Sequence, residues 1–429
     1  HGRTEQYHNI QQTTMNHHYR YLLTASLLTL SVCLHAQNGI NSPYSRYGFG
    51  IQSDRSMGFN KGMAGVAQGF RDGTIVNVAN PASYSCVDSI TAIFDFGISM
   101  YNGNYKMGSL QQNAKNTSLD YAAFHFRATR GLGITLGVLP YTNINYQFSS
   151  GTEALTGNDD MTSAYTFSGD GGLHQVFLGA GWQVFKPISI GMNGGYLFGD
   201  YTHTMTMAFS DANAYSLIRG YSANISTWIV DFGLQYTQPL GKKDKFTIGI
   251  SYGLGHDINN RATRYTETYN SSTSTAEGIS RDTLHNAFQL PHTFSAGITY
   301  YRGNKLRIGA DAELQKWSKC KFPAQDMSGT GEYVISTGGL NDKLRFAVGA
   351  DYLRDVLPGE LITADGTGLQ SRRYSHYHRN ALCAMEFIYF ARPDSDIEGV
   401  NVHAFRKESG RILYEENPVD ADMVFGVPD

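Results

Sequence analysis

Residues 172–198 read GLHQVFLGAGWQVFKPISIGMNGGYLF. From Val176 to Val184 every second residue is apolar or small, and the same period of two resumes at Ile188. A period of two is typical of a β-strand whose two faces meet different surroundings. Lys186-Pro187 separates the two stretches, so this part of the chain is predicted to be a β-hairpin with a tight turn.

The same alternation recurs along the chain and predicts about a dozen strands of about 10 residues, the length that a tilted strand needs to cross a bilayer. Polar turns lie between several of them, at Gly241–Asp244 and at Arg302–Lys305. The other predicted strands lie at Ile90–Tyr101, Gly131–Leu139, Asn224–Tyr236, Phe246–Leu254, Phe294–Tyr300, Leu306–Leu314 and Leu344–Tyr352.

The connections between these strands are unequal in length. Short turns alternate with long polar stretches at Ser149–Ala164, Thr202–Ser222 and His256–His292. Short turns at one end and long loops at the other are the plan of a transmembrane antiparallel β-barrel. A soluble β-sandwich also alternates, and it is the competing fold.

Composition favours the barrel. Charged residues make up 17% of the chain, which contains 47 Gly, 28 Tyr and 23 Phe. The mean hydropathy of -0.32 is too low for a bundle of membrane helices. A net charge of -3 gives no basic excess, so no nucleic acid partner is expected.

The first residues resemble an export signal. Residues 1–14 precede Met15 and are interpreted as an upstream extension or artefact. Residues 15–36 have a polar, cationic start and an apolar run, which predicts a signal peptide cut after Ala36. Cys33 would leave with it, because Val32 before it does not fit a lipoprotein signal. Three widely spaced cysteines would remain and predict no disulfide framework.

The region before the first strand, residues 37–88, is rich in Gly and small residues and is predicted to fold inside the barrel. Its motifs are SPYSRYG at 42–48, SMG at 56–58, GMAGVA at 62–67 and NPA at 80–82. They resemble the N-terminal hatch of the FadL family of outer-membrane transporters (OMPP1/FadL/TodX type), in a divergent branch.

This resemblance implies a barrel of about 14 strands with the hatch in its lumen, and uptake of long-chain fatty acids or other small hydrophobic compounds. Two sets of site residues are carried over. Asn80, Pro81 and Ala82 would form the hatch or gate turn. The N-terminal motif of the plug would comprise Ser42, Pro43, Tyr44, Arg46, Tyr47 and Gly48. The competing interpretation of Asn-Pro-Ala is a rigid structural turn.

The barrel is predicted to occupy residues 89–391. Arg379–Ala391 is the last predicted strand, and residues 392–429 form an atypical polar tail. Barrels of this kind usually end in a strand with an aromatic last residue, which Pro428-Asp429 does not provide.

No catalytic or metal-binding motif stands out, so no enzyme activity, metal or cofactor is expected. His125 and His174 lie in predicted strands and could face the lumen, but a lone histidine lacks a positioned partner. His376 and His378 provide only two ligands for a metal. Asp159, Asp160 and Asp170 lack the spacing of a calcium loop.

The sequence therefore predicts an exported protein of the outer membrane, with outer-membrane lipids and a hydrophobic small molecule as partners. The alternative function is a barrel of the same fold that binds exported proteins for a secretion system, as a type IX shuttle resembling FadL does. The uptake hypothesis predicts an apolar cavity beneath the hatch, whereas a barrel that binds exported proteins could have a filled lumen.

Overall fold

A computed structural model describes residues 42–419, except 89–91, 109, 156–157, 212, 242, 271–272, 274, 304, 327–330, 354–359, 366–367, 374–382 and 398. The predicted signal peptide lies outside these residues. The described strands are Ile51–Gln52 (β1), Ala92–Met107 (β2), Leu110–Thr129 (β3), Leu132–Ser149 (β4), Glu153–Leu155 (β5), Asn158–Gln183 (β6), Ile188–Phe209 (β7), Tyr215–Pro239 (β8), Asp244–Gly253 (β9), Asp257–Ile258 (β10), Ala262–Asn270 (β11), Thr275–Leu284 (β12), Phe288–Gln289 (β13), Thr293–Arg302 (β14), Leu306–Gln315 (β15), Lys321–Gln325 (β16), Tyr333–Thr337 (β17), Lys343–Tyr352 (β18), Glu360–Asp365 (β19), Gly368–Arg373 (β20), Asp396–Ile397 (β21) and Val400–Asn401 (β22).

Helices are few and short. They are the 3-10 helices Pro43–Arg46, Pro81–Cys86 and Trp317–Lys319, the α-helices Gly58–Gly62 and Val402–Glu416, and the π-helix Glu386–Phe390. Within the described residues, no helix is long and apolar enough to span a membrane.

Ten strands form one continuous antiparallel path in the order β18-β15-β14-β9-β8-β7-β6-β4-β3-β2. Four others, β1, β5, β11 and β12, join this sheet at its margins and bring it to 14 strands. Among the described residues, the end strands β2 and β18 each pair on one side only. The predicted all-β, antiparallel class is confirmed.

The alternation divides each strand between two faces, as predicted. In β2 the side chains of Phe94 and Met100 are 71% and 84% exposed, while Asp95 between them accepts a hydrogen bond from Tyr121 on the other face. Apolar side chains on the exposed face recur across the sheet, for example at Leu178, Ile250 and Ile298. One whole face of the sheet is therefore apolar and uncovered.

Short turns at 130–131, 184–187, 240–243 and 303–305 lie together at what we call the short-turn end of the sheet. The opposite, long-loop end carries the β11–β12 and β16–β17 hairpins. All three predicted long loops are wrong in extent, since His256–His292 contains strands β10 to β13. Strand β6 begins inside Ser149–Ala164, and β7 and β8 continue through most of Thr202–Ser222, because the alternating Thr and Met side chains suit cross-strand pairing.

The segment at 42–88, here called the N-terminal segment, packs on the face opposite the exposed apolar one. Its Lys61 pairs with Asp120 of β3, and its Ala64 carbonyl accepts a hydrogen bond from Arg345 of β18. Those strands lie eight neighbours apart, which is about 38 Å in a flat sheet. Three residues span at most about 11 Å, so the sheet must curl around the segment.

Residues 354–429 form a second compact unit, distinct from residues 1–353. Its described part holds two small hairpins, the π-helix and the α-helix Val402–Glu416, which Asn401 caps at its N-terminus. The predicted strand at Arg379–Ala391 is wrong in its described part, because residues 386–390 are helical. Phe387 is buried there against Phe405 of the α-helix, a contact that an apolar row of period two does not reveal.

Candidate functional site: the N-terminal segment and its two cavities

The Asn-Pro-Ala motif is buried against the sheet near the short-turn end. The Asn80 side chain accepts a hydrogen bond from the Ala82 amide at 3.2 Å and so caps the 3-10 helix Pro81–Cys86. Its amide nitrogen donates to the Gln68 carbonyl at 2.9 Å and lies 3.4 Å from the carbonyls of Leu234 and Ile250. Asn80 therefore joins two parts of the segment to strands β8 and β9.

Glycines on the inner face of the sheet allow this close approach. A Cβ at Gly191 would lie 2.3 Å from the Pro81 carbonyl carbon, and one at Gly249 would lie 1.7 Å from the Gln68 oxygen. Gly181 and Gly233 are equally crowded by Pro81 and Asn80. Four strands thus have no side chain where the N-terminal segment crosses them.

Buried polar side chains on the inner face of the sheet form further hydrogen bonds with the N-terminal segment. The Gln235 amide donates to the carbonyls of Gln68 and Phe70 at 2.9 and 3.0 Å. Asn193 accepts from the Tyr84 hydroxyl at 3.0 Å and donates to the Val78 carbonyl at 3.1 Å. These bonds satisfy backbone groups that a segment lacking regular structure would leave unpaired.

Ion pairs fix the segment at three points. Arg55 lies 2.5 Å from Asp231 of β8, and Arg307 of β15 lies 2.8 Å from Asp72. Lys61 pairs with Asp120, as described above. The Asp231 side chain is 15% exposed and that of Arg55 is 32% exposed, so much of the first pair is removed from water.

The predicted N-terminal motif lies at the long-loop end. Pro43–Arg46 is a 3-10 helix, and the Ser42 amide donates to the Asn145 carbonyl of β4 at 3.0 Å. The Arg46 guanidinium lies 3.7 Å from the centre of the Phe167 ring and donates to Gln325 at 3.3 Å. Gly48 has a φ of 59°, which favours glycine, whereas Tyr44 is 79% exposed.

Aromatic side chains fill the inner face around this motif. Phe49 contacts the rings of Tyr201, Phe288, Trp317 and Phe322, with centroids 4.8–6.5 Å apart. Beside them is a cavity of about 390 Å³, here called the aromatic pocket. Its walls include Arg46, Tyr47 and Gly48 from the segment and Tyr221, Phe322, Pro323, Ala324, Tyr333 and Leu340 from the sheet and loops.

A second cavity of about 350 Å³, the polar cavity, lies between residues 52–68 and strands β8, β9, β14, β15 and β18. Its walls carry charged side chains of both signs. They are Asp54, Arg55, Asp231, Asp311, Glu313, Lys343 and Arg345. The cavity beside the middle of the segment is thus polar and not the apolar one expected beneath the hatch, whereas the aromatic pocket lies at the long-loop end.

The other residues singled out in the sequence are dispersed. His125 faces the segment, with its ring 5.5 Å from that of Tyr84, and its Nδ1 lies 2.7 Å from the Thr135 hydroxyl. His174 lies on the opposite face, because it alternates in phase with exposed Val176. Its expected lumen position is wrong.

Neither a metal cluster nor a disulfide occurs among the described residues. No group of three His, Cys, Asp or Glu side chains is placed to hold a metal there. Asp159, Asp160 and Asp170 belong to strand β6 instead of a loop. His376 and His378 lie outside the described residues. Cys86, Cys320 and Cys383 are free thiols.

Sequence reasoning missed the residues that bind the segment to the wall, above all Arg55, Asn193, Asp231, Gln235 and Asp311. The sequence does contain a feature that could have identified those that lie on the strands. Asn193, Asp231, Gln235 and Asp311 all lie on the inner side of an alternating strand, where Gly, Ser, Thr and other polar residues are common. A large polar side chain at such a position indicates a partner on the inner face.

Replacing Asn80 by alanine is expected to lower the free energy of unfolding by about 1–3 kcal/mol, because buried carbonyl groups lose their donor. Thermal unfolding of the protein in detergent measures this loss. Asn213→Ala, in an exposed turn at the long-loop end, is the control and should change little. Equal unfolding temperatures for the two variants would show that the Asn80 hydrogen bonds contribute nothing to stability.

Several solved structures are similar to this chain. The monoaromatic hydrocarbon channel CymD has 16% identity and a TM-score of 0.44, covering 70% of this chain and 81% of its own. The Ralstonia pickettii toluene transporter TbuX has 14% identity and a TM-score of 0.44, covering 70% and 82%. The P. putida toluene transporter TodX has 11% identity and a TM-score of 0.47, covering 72% and 80%. At these values the likeness supports no conclusion about ligand or activity.

A short part of the chain is also similar to a curated enzyme. Over 82 residues it is 51% identical to amidophosphoribosyltransferase of Bacillus subtilis (strain 168) and 50% identical to that of Staphylococcus aureus (strain MRSA252). The match covers 19% of this chain and 17% of each relative. The chain thus spans about one sixth of the length of these relatives.

A protein-family model described as BamG matches residues 19–357. This range ends four residues beyond Leu353, the last residue of the first compact unit. The family match and the curled sheet with its N-terminal segment therefore cover the same part of the chain, and the second unit lies almost entirely outside the match.

Proposed function

The chain belongs to the BamG family, and starting from that membership we propose that it is an outer-membrane β-barrel protein that takes up small hydrophobic compounds, with the N-terminal segment as its plug. The uncovered apolar face supports placement in a bilayer, because its strands β9, β14, β15 and β18 are 10 residues long. Outer-membrane lipids would cover that face.

The aromatic pocket is the observation that carries this proposal. Its volume lies within the range of small-molecule sites, and its walls combine aromatic and aliphatic side chains with a few polar groups. It opens among the long loops, where a compound from outside would arrive. The plug residues Arg46, Tyr47 and Gly48 form one wall, so a ligand there would contact the element that must move during passage.

Fatty acids are one class of compound that fits. The Arg46 guanidinium could hold a carboxylate, while the rings of Phe322 and Tyr333 would contact a hydrocarbon chain. Monoaromatic compounds would use the rings alone. Mass spectrometry of molecules that co-purify with the protein from outer membranes would separate these classes.

The test is binding of the fluorescent apolar probe N-phenyl-1-naphthylamine to the protein in mild detergent. Ala324→Phe, which fills the aromatic pocket, is expected to weaken binding at least about tenfold. Ala310→Phe, on the exposed face of β15, adds the same ring outside the pocket and should leave affinity unchanged. If both variants bind like the unaltered protein, the pocket is not the site.

A second candidate function is binding of exported proteins at the long-loop end. The observation that favours it is the β11–β12 hairpin, which pairs with the first half of β8 and whose described β12 side chains are exposed except for Leu284. Replacing residues 266–280 by a short Gly-Ser turn should then abolish cross-links to exported proteins and leave probe binding intact. Unchanged cross-linking would remove this candidate.

A further inference from the structure

The polar cavity holds buried polar atoms without partners. Ser56 and Gln68 are each 5% exposed, yet within the described part of the chain the Ser56 hydroxyl and the Gln68 side-chain oxygen have no hydrogen-bond partner. The Arg55 Nε and one carboxylate oxygen of Asp311 are also unpartnered. Buried polar groups are normally satisfied, so four unsatisfied ones around one cavity indicate that something polar occupies it.

The charged side chains that strands β15 and β18 contribute to the cavity form no direct ion pair among the described residues. Glu313 of β15 faces Arg345 of β18 directly in the strand register, and Gln315 faces Lys343. Nevertheless, among the described residues no carboxylate lies within 4.0 Å of either cation. Toward described residues, Arg345 donates to the Ala64 carbonyl at 3.2 Å and Lys343 donates to the Gln52 side chain at 2.9 Å.

The two carboxylates of β15 are equally available to a cation. One oxygen of Asp311 accepts hydrogen bonds from the amides of Ala67 and Gln68 at 2.6 and 2.8 Å, and the other has no partner among the described residues. Glu313 accepts a hydrogen bond from Gln315 at 2.9 Å. Cations and anions thus lie side by side on neighbouring strands and attract each other, as Arg345 attracts Asp311, but they form no direct ion pair among the described residues.

We propose that the polar cavity binds a small zwitterionic solute, a free amino acid or a dipeptide. Its carboxylate would lie at Arg345 and Lys343, its ammonium group at Asp311 and Glu313, and its remaining polar atoms at Ser56 and Gln68. A neutral solute would leave the half-buried Asp311, Glu313 and Arg345 without partners, and a simple ion would compensate only one sign. The cavity is large enough for such a molecule but lies at the lower end of small-molecule sites.

Isothermal titration of the folded full chain in detergent with L-alanyl-L-alanine tests this proposal. Saturable binding is expected, and N-acetyl-L-alanyl-L-alanine amide, which lacks both charges, should bind at least tenfold more weakly. Arg345→Gln and Glu313→Gln should each weaken the dipeptide at least tenfold. Lys321→Gln, which breaks an exposed pair with Asp257 in the loops, is the control and should bind normally.

Equal affinity for the charged and the blocked dipeptide would overturn the proposal. Failure of the dipeptide to bind, with an experimental density map that shows only water in the polar cavity, would overturn it too. N-phenyl-1-naphthylamine binding, measured on the same variants, reports separately on the aromatic pocket. Loss of the dipeptide with retention of the probe therefore separates this site from the proposed uptake function and also shows that the variants are folded.

Discussion

Replacing Gly191 by valine is expected to detach the N-terminal segment from the sheet. A Cβ at this position would lie 2.3–2.5 Å from the backbone of Pro81 and Ala82, and backbone cannot rotate away as a side chain can. Such overpacking lowers the free energy of unfolding by about 1–3 kcal/mol where the structure can adapt. Valine adds two methyl groups beyond the Cβ, which increases the clash. Because the clash lies beneath the Asn-Pro-Ala motif, it acts on the proposed hatch turn itself.

The thiol of Cys86, at the end of the 3-10 helix Pro81–Cys86, reports on this detachment. Burial raises the pKa of the Cys86 thiol to about 11, and the thiol donates to the Ser83 carbonyl. Little thiolate is present at pH 8, so labelling by a maleimide should be slow. Release returns the pKa toward its ordinary value, and labelling should then be at least about tenfold faster.

Gly194→Val is the matched control, since it lies on the same strand and a Cβ there meets nothing within 4 Å. Both variants are made in a chain with Cys33, Cys320 and Cys383 replaced by serine. Fast labelling of Gly191→Val alone is the expected result. Similar rates in the two variants would mean that the close contact with Pro81 does not hold the segment in place.

Replacing Asp231 by alanine is expected to lower the free energy of unfolding by about 3 kcal/mol. The change leaves the Arg55 guanidinium facing the polar cavity without its carboxylate, and removing one partner of a buried pair is strongly destabilising. The residual exposure of Arg55 keeps the expected loss at the lower end of the usual range. Thermal and urea unfolding in detergent, followed by tryptophan fluorescence, measure it.

Two further variants define the cause of this loss. Asp282→Ala breaks the ion pair between Asp282 of β12 and Arg264 of β11. Because the Asp282 side chain is 58% exposed, the free energy of unfolding should change by less than about 1 kcal/mol. The double variant Arg55→Met with Asp231→Leu removes both charges and should recover most of the stability. A double variant as unstable as Asp231→Ala would attribute the loss to packing instead of to the unpaired charge.

The strands and their faces could be predicted from the sequence, because alternation is a local property of the extended chain. The hairpin at Lys186–Pro187 and the exposed apolar row of β2 are where the period of two places them. Strand ends were predicted less well. In Thr202–Ser222 polar residues continue the ladder, and pairing with a neighbour, which no local pattern records, decides where a strand ends.

The sequence by itself therefore determined that this protein is a large antiparallel sheet with one apolar face, preceded by a segment of small residues. Only the tertiary structure decided that Gly191 lies beneath Pro81, that Arg55 meets Asp231 176 residues away, and that one cavity is aromatic and the other charged. The reason is that the period of two follows from the geometry of neighbouring residues, whereas these contacts depend on the curl and register of distant strands.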